Sequence, residues 1–140
     1  MAENGTFAAA CWVFVGGAAG TAVRWAAEQM WPAGDGQWPW GTFAVNLAGA
    51  FVLGALLEGL ARLGRDAGWR RRTRLAVGTG FCGALTTYSA FALEISLLGR
   101  SEHFGLAVAY AIVSVAAGVL LASTGMQAAR RLLPSPDAAA

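Results

Sequence analysis

The stretch GTGFCGALTTYSAFALE, Gly78–Glu94, is apolar enough to lie in a membrane, yet it carries three glycines and two adjacent threonines. Gly80 and Gly83 weaken a helix, and the hydroxyls of Thr86 and Thr87 compete for its backbone hydrogen bonds. Non-helical backbone at membrane depth persists only where it is buried in protein or lines a wet cavity. A discontinuous helix and a continuous helix with glycines at packing positions are both compatible with these residues.

The composition surrounding this stretch is that of a membrane protein. Charged residues make up 13% of the 140 residues, and hydrophobic residues make up 56%. Soluble domains carry about 25% charged residues. The formal net charge of +2 is too small to indicate a nucleic-acid surface.

Four apolar windows are long enough to cross a bilayer, which needs about 20 residues per helix. They cover residues 7–31, 40–63, 75–98 and 104–126, and short polar or glycine-rich loops separate them. We therefore predict an all-α membrane protein in which residues 1–140 form a single four-span domain. The tail PSPDAAA, residues 134–140, is predicted to be flexible.

Arginine is distributed unevenly between the two sides of this predicted domain. With four spans, the N-terminus, the second loop and the C-terminus share one side. That side carries eight of the ten basic residues: Arg62, Arg65, Arg70, Arg71, Arg72, Arg74, Arg130 and Arg131. The positive-inside rule then places both termini in the cytoplasm, as for a protein of the cell inner membrane.

Polar side chains inside the spans are candidates for an ion pathway. An amide in the middle of a span, such as that of Asn46, is costly without partners, and it can donate to an anion or to another helix. Tyr110 and Ser114 are four residues apart and share a helix face. They can line a pore or hydrogen-bond a neighbouring helix.

Among the ionisable residues, Glu94 is a functional candidate, since it lies deep in the third span without an intrahelical basic partner. Arg24 and Glu28, like Glu58 and Arg62, are one turn apart near span ends, where i,i+4 pairing accounts for them. The sequence shows no catalytic or metal-ligating arrangement, so we do not expect an enzyme.

Taken together, these residues resemble the small bacterial fluoride-channel family, called Fluc or CrcB. The resemblance rests on GGAAGTAVRW at 16–25, WGTFAVNLAGAFVLG at 40–54 and GFCGALTTYSAFALE at 80–94, followed by Tyr110 and Ser114. It implies a channel through which fluoride leaves the cytoplasm passively. It also implies an antiparallel dimer with two pores along the subunit interface.

The resemblance further implies roles for individual residues. Asn46 would donate to fluoride, and backbone oxygens of Gly83 and Thr86 would hold a central structural Na⁺. The other implied residues are the aromatic pair Tyr88 and Phe91, whose ring edges would face the ion, Arg24 at the vestibule, and Glu94, Tyr110 and Ser114 along the path. The family usually has Phe where this chain has Tyr88, whose hydroxyl would narrow the pore or add a donor.

The arginine bias sets this chain apart from a subunit that inserts equally in both directions. It predicts one fixed orientation, and hence an oppositely oriented partner such as a related subunit. The predicted assembly is an antiparallel homodimer or a heterodimer with that subunit. The alternative function is a small proton-coupled exporter of the multidrug type. That chemistry requires a carboxylate deep in the first span, whereas Glu28 lies near its end.

Overall fold

The computed structural model describes residues 2–133, and every regular element within them is helical. The elements are α1 (Ala2–Met30), α2 (Trp40–Arg62), α3 (Trp69–Thr73), a π-helical segment (Arg74–Cys82), α4 (Gly83–Leu85), α5 (Tyr88–Arg100) and α6 (Phe104–Leu132). The tail predicted at 134–140 lies outside the described residues.

Four stretches are long and apolar enough to cross a membrane, namely Gly5–Met30, Trp40–Arg62, Trp69–Arg100 and Phe104–Leu132. The all-α, four-span prediction is confirmed. The third stretch begins earlier than predicted, because the arginine-rich segment from Trp69 is already helical. The fourth continues to Leu132, and basic side chains in its last turn, Arg130 and Arg131, suit the negative end of a helix dipole.

Helices α2 and α6 pack closely through a reciprocal pair of glycines. A Cβ added at Gly54 would collide with the carbonyl oxygen of Ala122, and one at Gly125 would collide with that of Phe51. Small residues allow such an approach where lipid provides no hydrophobic force between helices. At the end of this pair, Glu58 binds Arg62 at 2.9 Å, as predicted, and also Arg130 at 3.0 Å.

Helix α1 packs in the same manner against the π-helical segment. A Cβ at Gly16 would collide with the carbonyl of Ala76, and one at Gly20 would collide with that of Phe81. Gly16 and Gly20 therefore allow the first span to approach the backbone of the third. The first and third spans form one close pair, and the second and fourth spans form the other.

The third span is interrupted where the sequence changes character. After α4, Thr86 (φ −79°, ψ 148°) and Thr87 (φ −144°, ψ 121°) adopt extended backbone, and α5 begins at Tyr88. The Thr86 hydroxyl donates to the carbonyl of Cys82 at 2.9 Å, and the Thr87 hydroxyl accepts the N–H of Ala90 at 3.1 Å. The broken third helix is confirmed, and the continuous-helix alternative is wrong.

Candidate functional site

Asn46 of α2 clamps the break in the third span. Its Oδ1 accepts the backbone N–H of Thr87 at 2.8 Å, and its Nδ2 donates to the carbonyl of Thr87 at 3.1 Å. The bridging role between helices is thus confirmed. Because an amide nitrogen carries two hydrogens, one N–H of Asn46 is left over for another acceptor.

The same contacts release two backbone carbonyls at the break. In a continuous helix the N–H of Thr87 would bond to the carbonyl of Gly83, but it donates instead to Asn46. Likewise, the N–H of Ala90 donates to the Thr87 hydroxyl rather than to the carbonyl of Thr86. Gly83 is exposed, and an added Cβ there would meet open space. Carbonyls freed in this way are suited to bind a small cation.

Five of the predicted site residues line one groove of about 420 Å³ on the surface of the subunit. They are Asn46, Thr86, Tyr88, Phe91 and Ser114. Ser114 Oγ is shielded from solvent and has no hydrogen-bond partner among the described residues. Tyr88 is 81% exposed, and its ring centroid lies 6.2 Å from that of Phe91. Hydroxyl, amide and aromatic groups therefore converge on a groove that opens outward.

A second polar cluster surrounds Glu94, and Phe91 lies between this cluster and the groove. The Glu94 carboxylate accepts hydrogen bonds from the hydroxyls of Thr42 and Tyr110, the latter at 2.7 Å. Tyr110 is fully buried, and its ring packs on that of Phe91 with centroids 5.3 Å apart. Its hydroxyl therefore joins two neighbouring helices, whereas Ser114 lines the groove. The two hydroxyls do not line the same open surface.

Arg24 stands apart from both clusters. It pairs with Glu28 at 3.9 Å, as its spacing predicts. Glu28 in turn lines a cavity of about 200 Å³ together with Thr42 and Glu94. Arg24 is thus connected to the Glu94 cluster through its ion pair with Glu28, and it does not line the groove itself.

Sequence analysis missed two residues that complete these clusters. Thr42 lies one turn before Asn46 on α2, and this i,i+4 spacing on one helix face was a usable signal. Trp38, in the loop before α2, is the second of these residues. Its ring meets Tyr110 edge-on, with centroids 5.3 Å apart, and so helps to hold the tyrosine in place.

Comparison with known proteins places the groove, the break and the Glu94 cluster inside one matched region. The family model described as "CrcB-like protein, Camphor Resistance (CrcB)" matches residues 11–126. The Fluoride-specific ion channel FluC 1 of Cutibacterium acnes is 47% identical over 118 residues, which is 84% of this chain and 82% of that protein. The Fluoride-specific ion channel FluC of Phenylobacterium zucineum is 41% identical over 122 residues, covering 86% of this chain and 94% of that protein.

A third relative shows a similar degree of identity. The Fluoride-specific ion channel FluC of Ignicoccus hospitalis is 38% identical over 122 residues, covering 87% of this chain and 95% of that protein. The similarity therefore covers more than four fifths of this chain and of each of these proteins.

Proposed function

This chain belongs to the CrcB family, and from that premise we propose how a fluoride-specific ion channel is built from its groove and its broken helix. The protein is a channel and not an enzyme, and fluoride leaves the cytoplasm through it passively, which lowers fluoride toxicity. Hydrogen fluoride enters cells as a neutral weak acid and ionises inside, so the anion needs an exit. The proton-coupled exporter alternative is wrong, since the family and the relatives are fluoride channels.

Fluoride is small and strongly hydrated, so a pore must replace its water with hydrogen-bond donors. The groove supplies the left-over N–H of Asn46 and the unpartnered hydroxyl of Ser114. It also presents the rings of Tyr88 and Phe91, whose edges carry the positive part of the ring quadrupole. The convergence of these groups in one groove is the observation that carries the proposal.

A structural Na⁺ at the break is part of the same proposal. The carbonyls of Gly83 and Thr86 fit this role, because side chains have taken the N–H groups that would bond them in a helix. Two subunits would supply four such oxygens. The positive charge would favour an anion nearby, since a site shielded from water screens charge weakly.

The Glu94 cluster and Arg24 are proposed to serve the approach to the groove. Arg24, near a span end, attracts anions toward the vestibule. Glu94 and Tyr110 lie farther along the path, and Phe91 separates them from the groove. Fluoride would then exchange between donors in sequence rather than rest in one deep site.

We further propose that an antiparallel partner covers the groove. Tyr88 is 81% exposed on the groove, and Gly83 faces open space, so one subunit leaves the passage open on one side. The arginine bias favours one orientation, with both termini in the cytoplasm of a cell whose inner membrane holds the protein. A related subunit of opposite orientation is therefore the expected partner, in place of a homodimer.

Recordings on proteoliposomes with a fluoride electrode, and with a chloride electrode for the control, test the channel. The protein reconstituted together with its oppositely oriented partner should release fluoride rapidly when the membrane potential is shunted, and matched chloride-loaded vesicles should release far less. Equal release of the two anions would contradict the proposed donor set.

Reporter tags at the C-terminus test the orientation separately. A fixed orientation predicts signal only from a reporter that is active in the cytoplasm. Equal cytoplasmic and external signals would reject the fixed orientation and favour the homodimer.

A further inference from the structure

A separate cavity of about 240 Å³ lies between the start of the first span and the start of the third. Its α1 side follows the spacing i, i+3, i+4, i+7, which places four residues on one helix face. The residues on this side are Gly5, Ala8, Ala9 and Trp12, and those on the opposite side are Gly68, Arg71, Arg72 and Leu75. We call this the lateral cavity.

Two arginines of the lateral cavity, Arg71 and Arg72, make no close side-chain contact among the described residues of the kind that Arg70 and Arg74 make. The charge of Arg71 nevertheless helps to lower the pKa of Asp66. Arg70 donates to two backbone carbonyls of the preceding loop, and Arg74 binds Asp66 at 2.7 Å. Arg71 and Arg72 are exposed, and within the described residues neither makes an ion pair or a side-chain hydrogen bond. The loop thus uses two arginines for its own structure and presents two at the cavity.

The lateral cavity is lined by charged side chains at one end and by apolar side chains at the other. From Gly5, where the first membrane-spanning stretch begins, to Trp12 is about 10 Å at 1.5 Å per residue. The arginines lie at the start of the third span, next to the exposed Trp69, and indole rings prefer the headgroup level. Trp12 and Leu75 lie further into the spans, and the small residues of α1 leave room between them.

We propose that the lateral cavity binds one anionic phospholipid. Arg71 and Arg72 hold its phosphodiester, since guanidinium groups pair well with phosphate oxygens. The first part of an acyl chain lies along Ala8, Ala9 and Trp12. A lipid fits better than a free phosphate ester, because the apolar part of the lateral cavity, at Ala9, Trp12 and Leu75, continues from the charged end into the membrane-spanning region.

Native mass spectrometry of the purified full-length protein tests this with phosphatidylglycerol and phosphatidylcholine of identical chains. One arginine near an anionic lipid contributes about fivefold in affinity. The double variant Arg71→Gln/Arg72→Gln should lose about tenfold or more of the preference for phosphatidylglycerol. The matched control Arg65→Gln/Arg131→Gln removes two exposed charges from the same side and should keep the preference within about threefold.

A steric variant separates a bound lipid from diffuse attraction. Ala8→Leu fills the lateral cavity without changing charge, and it should lower phosphatidylglycerol occupancy by about threefold or more. Undiminished preference in the Arg71/Arg72 variant, an equal loss in the control, or no effect of Ala8→Leu would each overturn the site. Equal competition by soluble glycerol phosphate would overturn the lipid assignment. Binding is measured without ion flux, so its failure would leave the channel function standing.

Discussion

Replacing Asn46 by Asp is the sharpest test of the groove, because it changes one amide to a carboxylate of nearly the same shape. In the structure, Nδ2 donates to the carbonyl of Thr87 at 3.1 Å. In the variant a carboxylate oxygen would face that carbonyl. Losing this bond leaves a part-buried carbonyl unsatisfied, which costs about 1–3 kcal/mol.

The effect on the ion is larger than the effect on the fold. A carboxylate within about 4 Å of fluoride repels it by about 4 kcal/mol at an effective dielectric constant of about 20. That energy corresponds to about a thousandfold in equilibrium occupancy, before any loss of the donor itself. We therefore expect Asn46→Asp to reduce fluoride efflux by at least about a hundredfold.

Efflux from proteoliposomes measures this directly, with size-exclusion elution and thermal unfolding as checks of assembly. Gln127→Glu, the same chemical change on the exposed end of α6, is the matched control and should conduct as the wild type does. Efflux of Asn46→Asp within about threefold of wild type, from protein that elutes normally, would show that the Asn46 donor is not in the path.

Three further changes probe packing, the aromatic pair and the exposed loop. Gly125→Ala should lower the free energy of unfolding by about 1–3 kcal/mol, since the added methyl group meets the α2 backbone. The control Gly105→Ala, whose methyl group meets open space, should be neutral or stabilising. Equal melting temperatures of the two variants would refute the close contact. Phe91→Ala should lower efflux about tenfold while the protein still assembles, and unchanged efflux would remove this ring from the path. Arg74 holds the pKa of Asp66 below its usual value, so the stabilising pair is present above about pH 4 and is lost as the pH falls through that lowered pKa. The difference in melting temperature between wild type and Asp66→Asn should therefore be small at pH 7, because the pair is exposed. The difference should vanish in strong acid or at high salt. A difference that grows in acid would contradict this expectation.

Several local features of the fold could be predicted because neighbours along the chain determine them. The pairs Arg24–Glu28 and Glu58–Arg62 follow from helix spacing, and both are present. The break was only one of two alternatives, because glycine and threonine weaken a helix without forcing it open. The tertiary contact decides between them, because the Asn46 side chain accepts the N–H of Thr87 that a continuous helix would use.

The amino-acid sequence alone determined the four membrane spans and the resemblance to fluoride channels, because hydropathy and motif order are properties of contiguous residues. The tertiary structure decided which polar groups meet. Asn46 and Thr87 are separated by 41 positions, and Thr42 and Glu94 by 52. Such contacts depend on how closely the helices pack, which glycine contacts between spans set and no local pattern encodes. For that reason the two partners of Glu94, Thr42 and Tyr110, were not predicted, although Glu94 itself was a predicted site residue.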